Sequence, residues 1–162
     1  MQTMSEPALR RQVLLLLDGG RAHLRARTVL AAFPRQLCGV RPPGFLHSGW
    51  QLLEHLRIAQ ADLLAFCKDP KHRSPKWPEG YWPKAAPRTP AAWQSSARAF
   101  LADLGTCLRV VRDRRVDLLA SLPHVDGVSW LQELFLVATH NSYHLGQLMQ
   151  LAHVLEAPSV RR

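Results

Sequence analysis

Residues 139–151 read THNSYHLGQLMQL and lie near the middle of the longest uninterrupted apolar segment of the chain. Within this stretch His140 and His144 are four residues apart. On an α-helix that spacing places both imidazole rings on one face, so a nitrogen of each ring can reach the same ion. Two ligands do not complete a metal site. A third ligand must therefore come from another element of the fold.

The stretch belongs to a long predicted helix that runs from Ser129 to about Leu155, with Glu133 as its only formal charge. At 1.5 Å per residue this helix has a length of roughly 40 Å. A helix so poor in charge is normally buried on most of its sides. We therefore expect other helices, or a partner subunit, to cover it.

Apolar residues at helical spacing also predict helices in the first part of the chain. Residues 7–33 have a helical pattern that Gly19 and Gly20 interrupt, which fits either one kinked helix or two helices. A further helix is predicted from a Ser48 N-cap to about Lys68.

A third helical region begins at Thr89 and Pro90 and ends in the charged residues 113–115. The connection at residues 116–127 shows no strand pattern of period two. Residues 69–90 are proline-rich and irregular, and their aromatic side chains are expected to fold down onto the helices. The sequence therefore predicts an all-α four-helix bundle, as one domain over residues 1–162 with its core at about 7–157.

The predicted helix that follows Ser48 supplies a candidate for the third ligand. His55 lies between Leu52 and Ala59 on the apolar face of this helix. Facing side chains of two packed helices meet at metal-ligand range, because the helix axes lie about 8–10 Å apart. We therefore predict that His55, His140 and His144 share one site.

Three neutral imidazoles suit zinc, nickel, iron or copper, and the set contains no thiolate or carboxylate that would select among them. A set of three protein ligands leaves a coordination position open to water or to a substrate atom. The alternative is that these are buried histidines that only form hydrogen bonds. In a chain with eight histidines a pair at four-residue spacing is a weak motif by itself.

Other residues are weaker candidates. His47 precedes a helix and reads as a surface or capping residue, and His124 lies in a connection where it could border a pocket. Gln147 and Tyr143 could orient ligands, although packing is the simpler interpretation. The sequence contains no GxSxG, P-loop or GxGxxG pattern.

Composition limits the class of protein. Cys38, Cys67 and Cys107 are widely spaced without a CxxC motif, which argues against a disulfide framework. The only apolar run near the N-terminus is too short for a signal peptide or a membrane span, so we expect a soluble cytoplasmic protein. The net charge of +9 invites a nucleic-acid-binding interpretation. The basic residues are scattered, however, and they lack the interleaved aromatic residues of single-strand binders, which argues against it.

Several motifs together resemble the DinB/YfiT-like family of metal-dependent proteins. They are WQLLEHLRIAQADLLAF at residues 50–66, HNSYHLGQL at 140–148, PPG at 42–44 and WPEGYWP at 77–83. The resemblance implies a four-helix bundle, often a homodimer, with a metal held by His55, His140 and His144. Thr139 stands where the family commonly has an acidic residue.

For activity, the resemblance implies that some relatives are transferases or isomerases that use a low-molecular-weight thiol such as bacillithiol or mycothiol, activated by the metal. Many other relatives have no assigned reaction. The leading hypothesis is a metal-dependent hydrolase or thiol-dependent transferase that acts on an unidentified small molecule. The second is a non-catalytic dimeric bundle that binds a small ligand, and the third is a basic nucleic-acid-binding protein. Because histidine must be neutral to bind metal, we expect the metal to be lost below a pH of about 6.5.

Overall fold

The computed structural model describes residues 5–84 and 90–156, and most of this part of the chain is helical. It contains five α-helices and a short two-stranded sheet. The helices are α1 (Glu6–Asp18), α2 (Ala26–Ala32), α3 (Gly49–Lys68), α4 (Pro90–Arg112) and α5 (Trp130–Glu156). The strands are β1 (Ser121–Leu122) and β2 (Val125–Ser129), which pair antiparallel.

The four longest helices surround one core. Both α1 and α3 pack against α4 and α5, so α1 and α3 lie diagonally across the bundle. The core between them contains fully buried side chains from three helices, such as Leu56 of α3, Phe100 of α4 and Leu148 of α5. The predicted all-α four-helix bundle is confirmed, and α2 packs beside it as a short additional helix.

The glycine pair near the N-terminus separates two helices. Gly19 and Gly20 have φ angles of 67° and 84°, a region that glycine adopts at little cost. The chain leaves α1 at this point, and α2 begins only at Ala26. Of the two alternatives for residues 7–33, the structure therefore shows two helices and not one kinked helix.

The start of α3 is fixed by a capping box. The hydroxyl of Ser48 accepts a hydrogen bond from the Gln51 backbone N–H, and the Gln51 side chain accepts one from the Ser48 N–H. Gly49 allows a close helix contact, because a Cβ atom there would lie 2.2 Å from a ring carbon of Phe33. The predicted boundaries of this helix, from the Ser48 cap to Lys68, are confirmed.

The connection between α4 and α5 differs from the prediction. It forms the β1–β2 hairpin, so the absence of strands expected from the sequence is wrong here. Strands of two and five residues are too short to show a clear period-two pattern. Leu122 is buried, and Gly127 has a φ of 74° within β2, where the register of the pairing shifts.

Arg10 ties α1 to the end of α4. Its side chain is only 9% exposed. The guanidinium donates to the backbone carbonyls of Val111 at 2.7 Å and Asp113 at 3.1 Å, and also to that of Val116. These carbonyls lie at the C-terminus of α4 and just beyond it, where backbone acceptors lack intrahelical partners. The salt bridge to Glu6 is more exposed and contributes less.

Among residues 5–84 and 90–156, none of the helices combines the length and the apolar character that crossing a membrane requires.

Candidate metal centre

The three histidines predicted as ligands lie together between two packed helices. His55 projects from α3, and His140 and His144 project from successive turns of α5. Each offers one ring nitrogen such that all three nitrogens lie within 4.8 Å of one another. The Nε2 atoms of His55 and His140 are 3.0 Å apart. Both predictions that define this arrangement, the helical spacing on α5 and the inward direction of His55, are confirmed.

The donor set fits a divalent transition-metal ion. In a tetrahedral zinc site with Zn–N distances of about 2.0–2.1 Å, neighbouring ligand nitrogens lie about 3.3–3.4 Å apart. The 3.0 Å separation of the His55 and His140 nitrogens is close to that value. A small adjustment of the rings would allow both nitrogens to direct their lone pairs at one ion.

Hydrogen bonds from the opposite ring nitrogens orient two of the histidines. Nδ1 of His55 donates to the backbone carbonyl of Tyr81 at 3.2 Å, and Nδ1 of His144 donates to Oε1 of Gln147 at 2.7 Å. A neutral imidazole with its proton on Nδ1 has a free lone pair on Nε2. Both rings are therefore held in the tautomer that leaves Nε2 available to bind metal.

Burial keeps the three rings neutral. Burial, followed by the charge of His144, lowers the pKa of His55 to about 4. Burial, followed by the charges of His144 and His55, lowers the pKa of His140 to about 4. The pKa of His144 is also lowered, again mainly by burial. All three imidazoles are consequently neutral at neutral pH, which is the charge state that binds metal.

Trp82 covers one side of the site. Its indole stacks on the His55 ring with a centroid distance of 3.8 Å and an interplanar angle of 3°. His47 stacks on the same indole at 3.8 Å and 13°. Two rings cannot both lie this close to one indole centroid on the same face, so Trp82 is sandwiched between His47 and His55. The indole therefore closes the site on the side of the 69–84 loop.

The loop that carries Trp82 is fastened to α3 through Asp62. One carboxylate oxygen accepts a hydrogen bond from Nε2 of His72, and the other accepts one from the hydroxyl of Tyr81, both at 2.6 Å. The Tyr81 carbonyl is the partner of His55, and Trp82 is the next residue. Asp62 thus holds both the group that orients His55 and the ring that stacks on it.

The sequence was compared with models of known protein families. A sequence model of the DinB superfamily matches residues 17–148, which include all three histidines. The chain belongs to the DinB superfamily. Comparison with curated proteins and with solved structures gave no match.

In this DinB-superfamily chain the three histidines line a cavity of about 850 Å³. Its walls are mainly apolar and aromatic and include Phe45, Leu52 and Tyr143. Among the residues that the structure describes, its lining includes no aspartate or glutamate. The nearest carboxylate in sequence, Glu54, instead forms a bidentate ion pair with Arg57 at 2.8 and 2.9 Å.

Two weaker candidates from the sequence have a clear place in the DinB-superfamily fold. Gln147 orients His144, so it does more than pack. Nε2 of His124 donates to the Phe66 carbonyl at 2.8 Å, which ties the β-hairpin to the end of α3. His124 is therefore a structural residue of the hairpin, outside the metal site.

Sequence reasoning missed the roles of Asp62, Trp82 and His47 at this site. The only signal was the aromatic content of residues 69–90, which predicted that the loop folds down but not what it touches. Trp82 and Tyr81 do contact α3 residues, whereas Trp77 remains 67% exposed. The predictions for Thr89 and for residues 85–88 lie outside the described residues.

The cysteines take no part in the site. Cys38, Cys67 and Cys107 are free and buried. Burial is the main cause that raises the pKa of both Cys67 and Cys107 to about 12. These two thiols therefore stay protonated near neutral pH and pack as small apolar side chains.

Proposed function

We propose that this DinB-superfamily protein is a metal-dependent enzyme in which His55, His140 and His144 bind a divalent transition-metal ion. The all-imidazole donor set suits zinc, nickel or iron. The observation that carries the proposal is the convergence of three neutral ring nitrogens within 4.8 Å of one another at the wall of a cavity. When bound, such an ion supplies Lewis-acid chemistry that lowers the pKa of water or of a low-molecular-weight thiol.

The surrounding residues prepare the site for that chemistry. Gln147 and the Tyr81 carbonyl hold the Nδ1 protons of His144 and His55, which fixes the rings before a ligand arrives. Trp82 excludes water from one face of His55. The cavity leaves room beside the three nitrogens for a small substrate. The reaction class proposed is hydrolysis or thiol-dependent group transfer.

A second candidate function is favoured by a specific observation. No carboxylate lines the cavity among the described residues, so the structure provides no Asp or Glu as a general base beside the metal site. A protein that binds a small ligand at the metal without turning it over would need no such base. The second candidate is therefore a non-catalytic metal-dependent binding protein.

A reaction screen separates the two functions. The zinc-, nickel- and iron-loaded proteins are assayed for ester hydrolysis, amide hydrolysis and transfer of a low-molecular-weight thiol. The enzyme proposal predicts turnover with at least one metal, lost in His55→Ala and retained in His153→Ala, which changes an exposed histidine of the same protein. Metal loading without turnover of any of these substrates would favour the binding protein.

A further inference from the structure

We propose that the cavity at the three histidines binds an organic anion with an apolar or aromatic body. The anionic group faces the metal ion, and the body lies against the apolar rim of the cavity. This inference rests on the proposed function, because the anion is directed to the metal site. It adds the chemical class of the small molecule, which the histidine geometry alone does not specify.

The rim of the cavity is formed by unusually exposed apolar side chains. Leu46 is 82% exposed, Trp77 67% and Tyr143 65%, and all three line the cavity. Among the large apolar side chains of the described residues only Leu119, also at 65%, is as exposed as these. Scattered exposed apolar residues need no explanation, but a group of them around one opening marks a binding site.

The shape of the site favours a small molecule over a protein surface. A volume of about 850 Å³ falls in the range of small-molecule sites, which are concave and mostly apolar with a few polar groups. Below the rim the walls continue with Phe45, Leu52 and Trp82. An apolar body that enters from the rim would thus remain in contact with apolar side chains down to the histidines.

The charges of the site favour an anion at its inner end. The three histidines are neutral, so they leave both positive charges of a divalent ion uncompensated. No Asp or Glu in the described chain lines the cavity to balance them. The positive charge of Arg41 also acts here, since it contributes, after burial, to lowering the pKa of His47 in the lining. A carboxylate or thiolate is the complementary group.

Calorimetric titration of the zinc-loaded protein tests the inference with three matched probes. They are 3-phenylpropanoate, 3-phenylpropan-1-ol, which lacks the charge, and propanoate, which lacks the aromatic body. We expect 3-phenylpropanoate to bind at least about tenfold more tightly than either of the others, and to lose most of its affinity when zinc is removed. Equal affinity for the alcohol, or equal affinity without zinc, would overturn the proposed anion.

Matched leucine variants test the rim. Leu46→Ser should weaken 3-phenylpropanoate binding by about threefold to tenfold, because part of an apolar contact is lost. Leu119→Ser changes an equally exposed leucine away from the cavity and should have no effect. Equal effects of the two changes would overturn the rim contact. A zinc-loaded dimer that Leu46→Ser dissociates in sedimentation would also overturn it, because a second copy would then cover the rim.

The zinc titration that precedes ligand addition keeps the two proposals apart. If one zinc ion binds per chain and 3-phenylpropanoate does not, only the inference about the anion fails. If zinc, nickel and iron all fail to bind, the proposed function fails and the inference about its ligand fails with it.

Discussion

At the scale of single residues, the site depends on how few orientations its imidazoles can adopt. His144 is 7% exposed, and its Nδ1 proton has a defined acceptor in Gln147. The ring is therefore oriented before metal arrives, so binding does not have to pay the full entropy of fixing it. We therefore expect the hydrogen bond from His144 to Gln147 to increase the affinity of the site for metal.

Gln147→Leu tests that contribution. Leucine keeps the bulk of the side chain but cannot accept the Nδ1 proton, so we expect metal affinity to fall by about tenfold to a hundredfold. Gln150→Leu is the matched control, because Gln150 lines the same cavity on the same helix but is exposed. Competition with a chelator of known affinity measures both variants. Equal affinities of Gln147→Leu and the wild-type protein would show that the hydrogen bond does not support the ligand.

The convergence of the three histidines could be predicted from sequence because helices have a fixed period. On a helix, position in sequence determines the direction in which a side chain points. The four-residue spacing of His140 and His144 therefore places both on one face, and the apolar neighbours of His55 place it on the buried face. The contacts of Trp82 and His47 could not be predicted in this way. Both lie outside helices, where no period relates position in sequence to direction in space.

At the scale of secondary-structure elements, the loop at residues 69–84 contributes contacts to the site because hydrogen bonds fix it to α3. Asp62 receives hydrogen bonds from His72, near the start of this loop, and from Tyr81, near its end. The Asp62 side chain is only 10% exposed, so these bonds are shielded from water. Loss of Asp62 should therefore release the loop while leaving the helical bundle folded.

Asp62→Ala is expected to expose the loop to protease and to weaken the site. Trypsin should cleave at Lys71, Arg73 or Lys76 more rapidly than in the wild-type protein, because these exposed residues lie in the released segment. Metal affinity should fall by about tenfold, since His55 loses its fixed Tyr81 partner. Mass spectrometry of the digest and a chelator competition measure the two effects.

Asp69→Ala is the matched control for this change. Asp69 accepts a local hydrogen bond from the Lys71 N–H and is exposed, so its removal should not release the whole loop. A loop that resists trypsin in Asp62→Ala as well as in the wild-type protein would contradict the role given to Asp62.

The helices could be predicted from sequence more completely than the segments between them. Ser48 and Gln51 form the capping box at the start of α3. The helical spacing of the apolar residues on its buried face predicts that the helix continues to Lys68. The β-hairpin was missed because its strands are short and only part of it is buried. The tie from Arg10 to α4 was missed because its acceptors are backbone carbonyls, which no side-chain pattern reveals.

At the scale of the whole molecule, the buried histidines link folding to pH. The pKa of His55 and of His140 is about 4 in the folded protein, against about 6.5 in an unfolded chain. Between these values the unfolded chain binds more protons than the folded one. The metal-free protein should therefore lose stability as the pH falls from about 6.5 towards 4.

Urea unfolding at pH 7.5 and pH 5.0, without metal, measures this effect. The difference in unfolding free energy between the two pH values should be smaller in His140→Asn than in the wild-type protein. His153→Asn, which changes an exposed histidine of α5, should leave the difference unchanged. Comparison of variants is needed because burial also raises the pKa of Glu133, so this carboxyl group contributes to the pH dependence as well. An unchanged difference in His140→Asn would contradict the assigned cause.

The same shift changes what is expected for metal retention. The unperturbed histidine pKa of about 6.5 led to the expectation that metal is lost below that pH. In the folded protein protons compete for His55 and His140 only near pH 4. Metal should therefore be retained well below pH 6.5, until the protein itself unfolds.

Anomalous scattering from crystals of the metal-loaded protein tests the central claim most directly, because it gives the position, the occupancy and the element together. We predict one anomalous peak per chain, within about 2.0–2.2 Å of a ring nitrogen of each of His55, His140 and His144. The peak should be absent from His144→Ala crystals grown in the same way. A wild-type crystal without a peak among these rings, or a peak bound by other residues, would contradict the account.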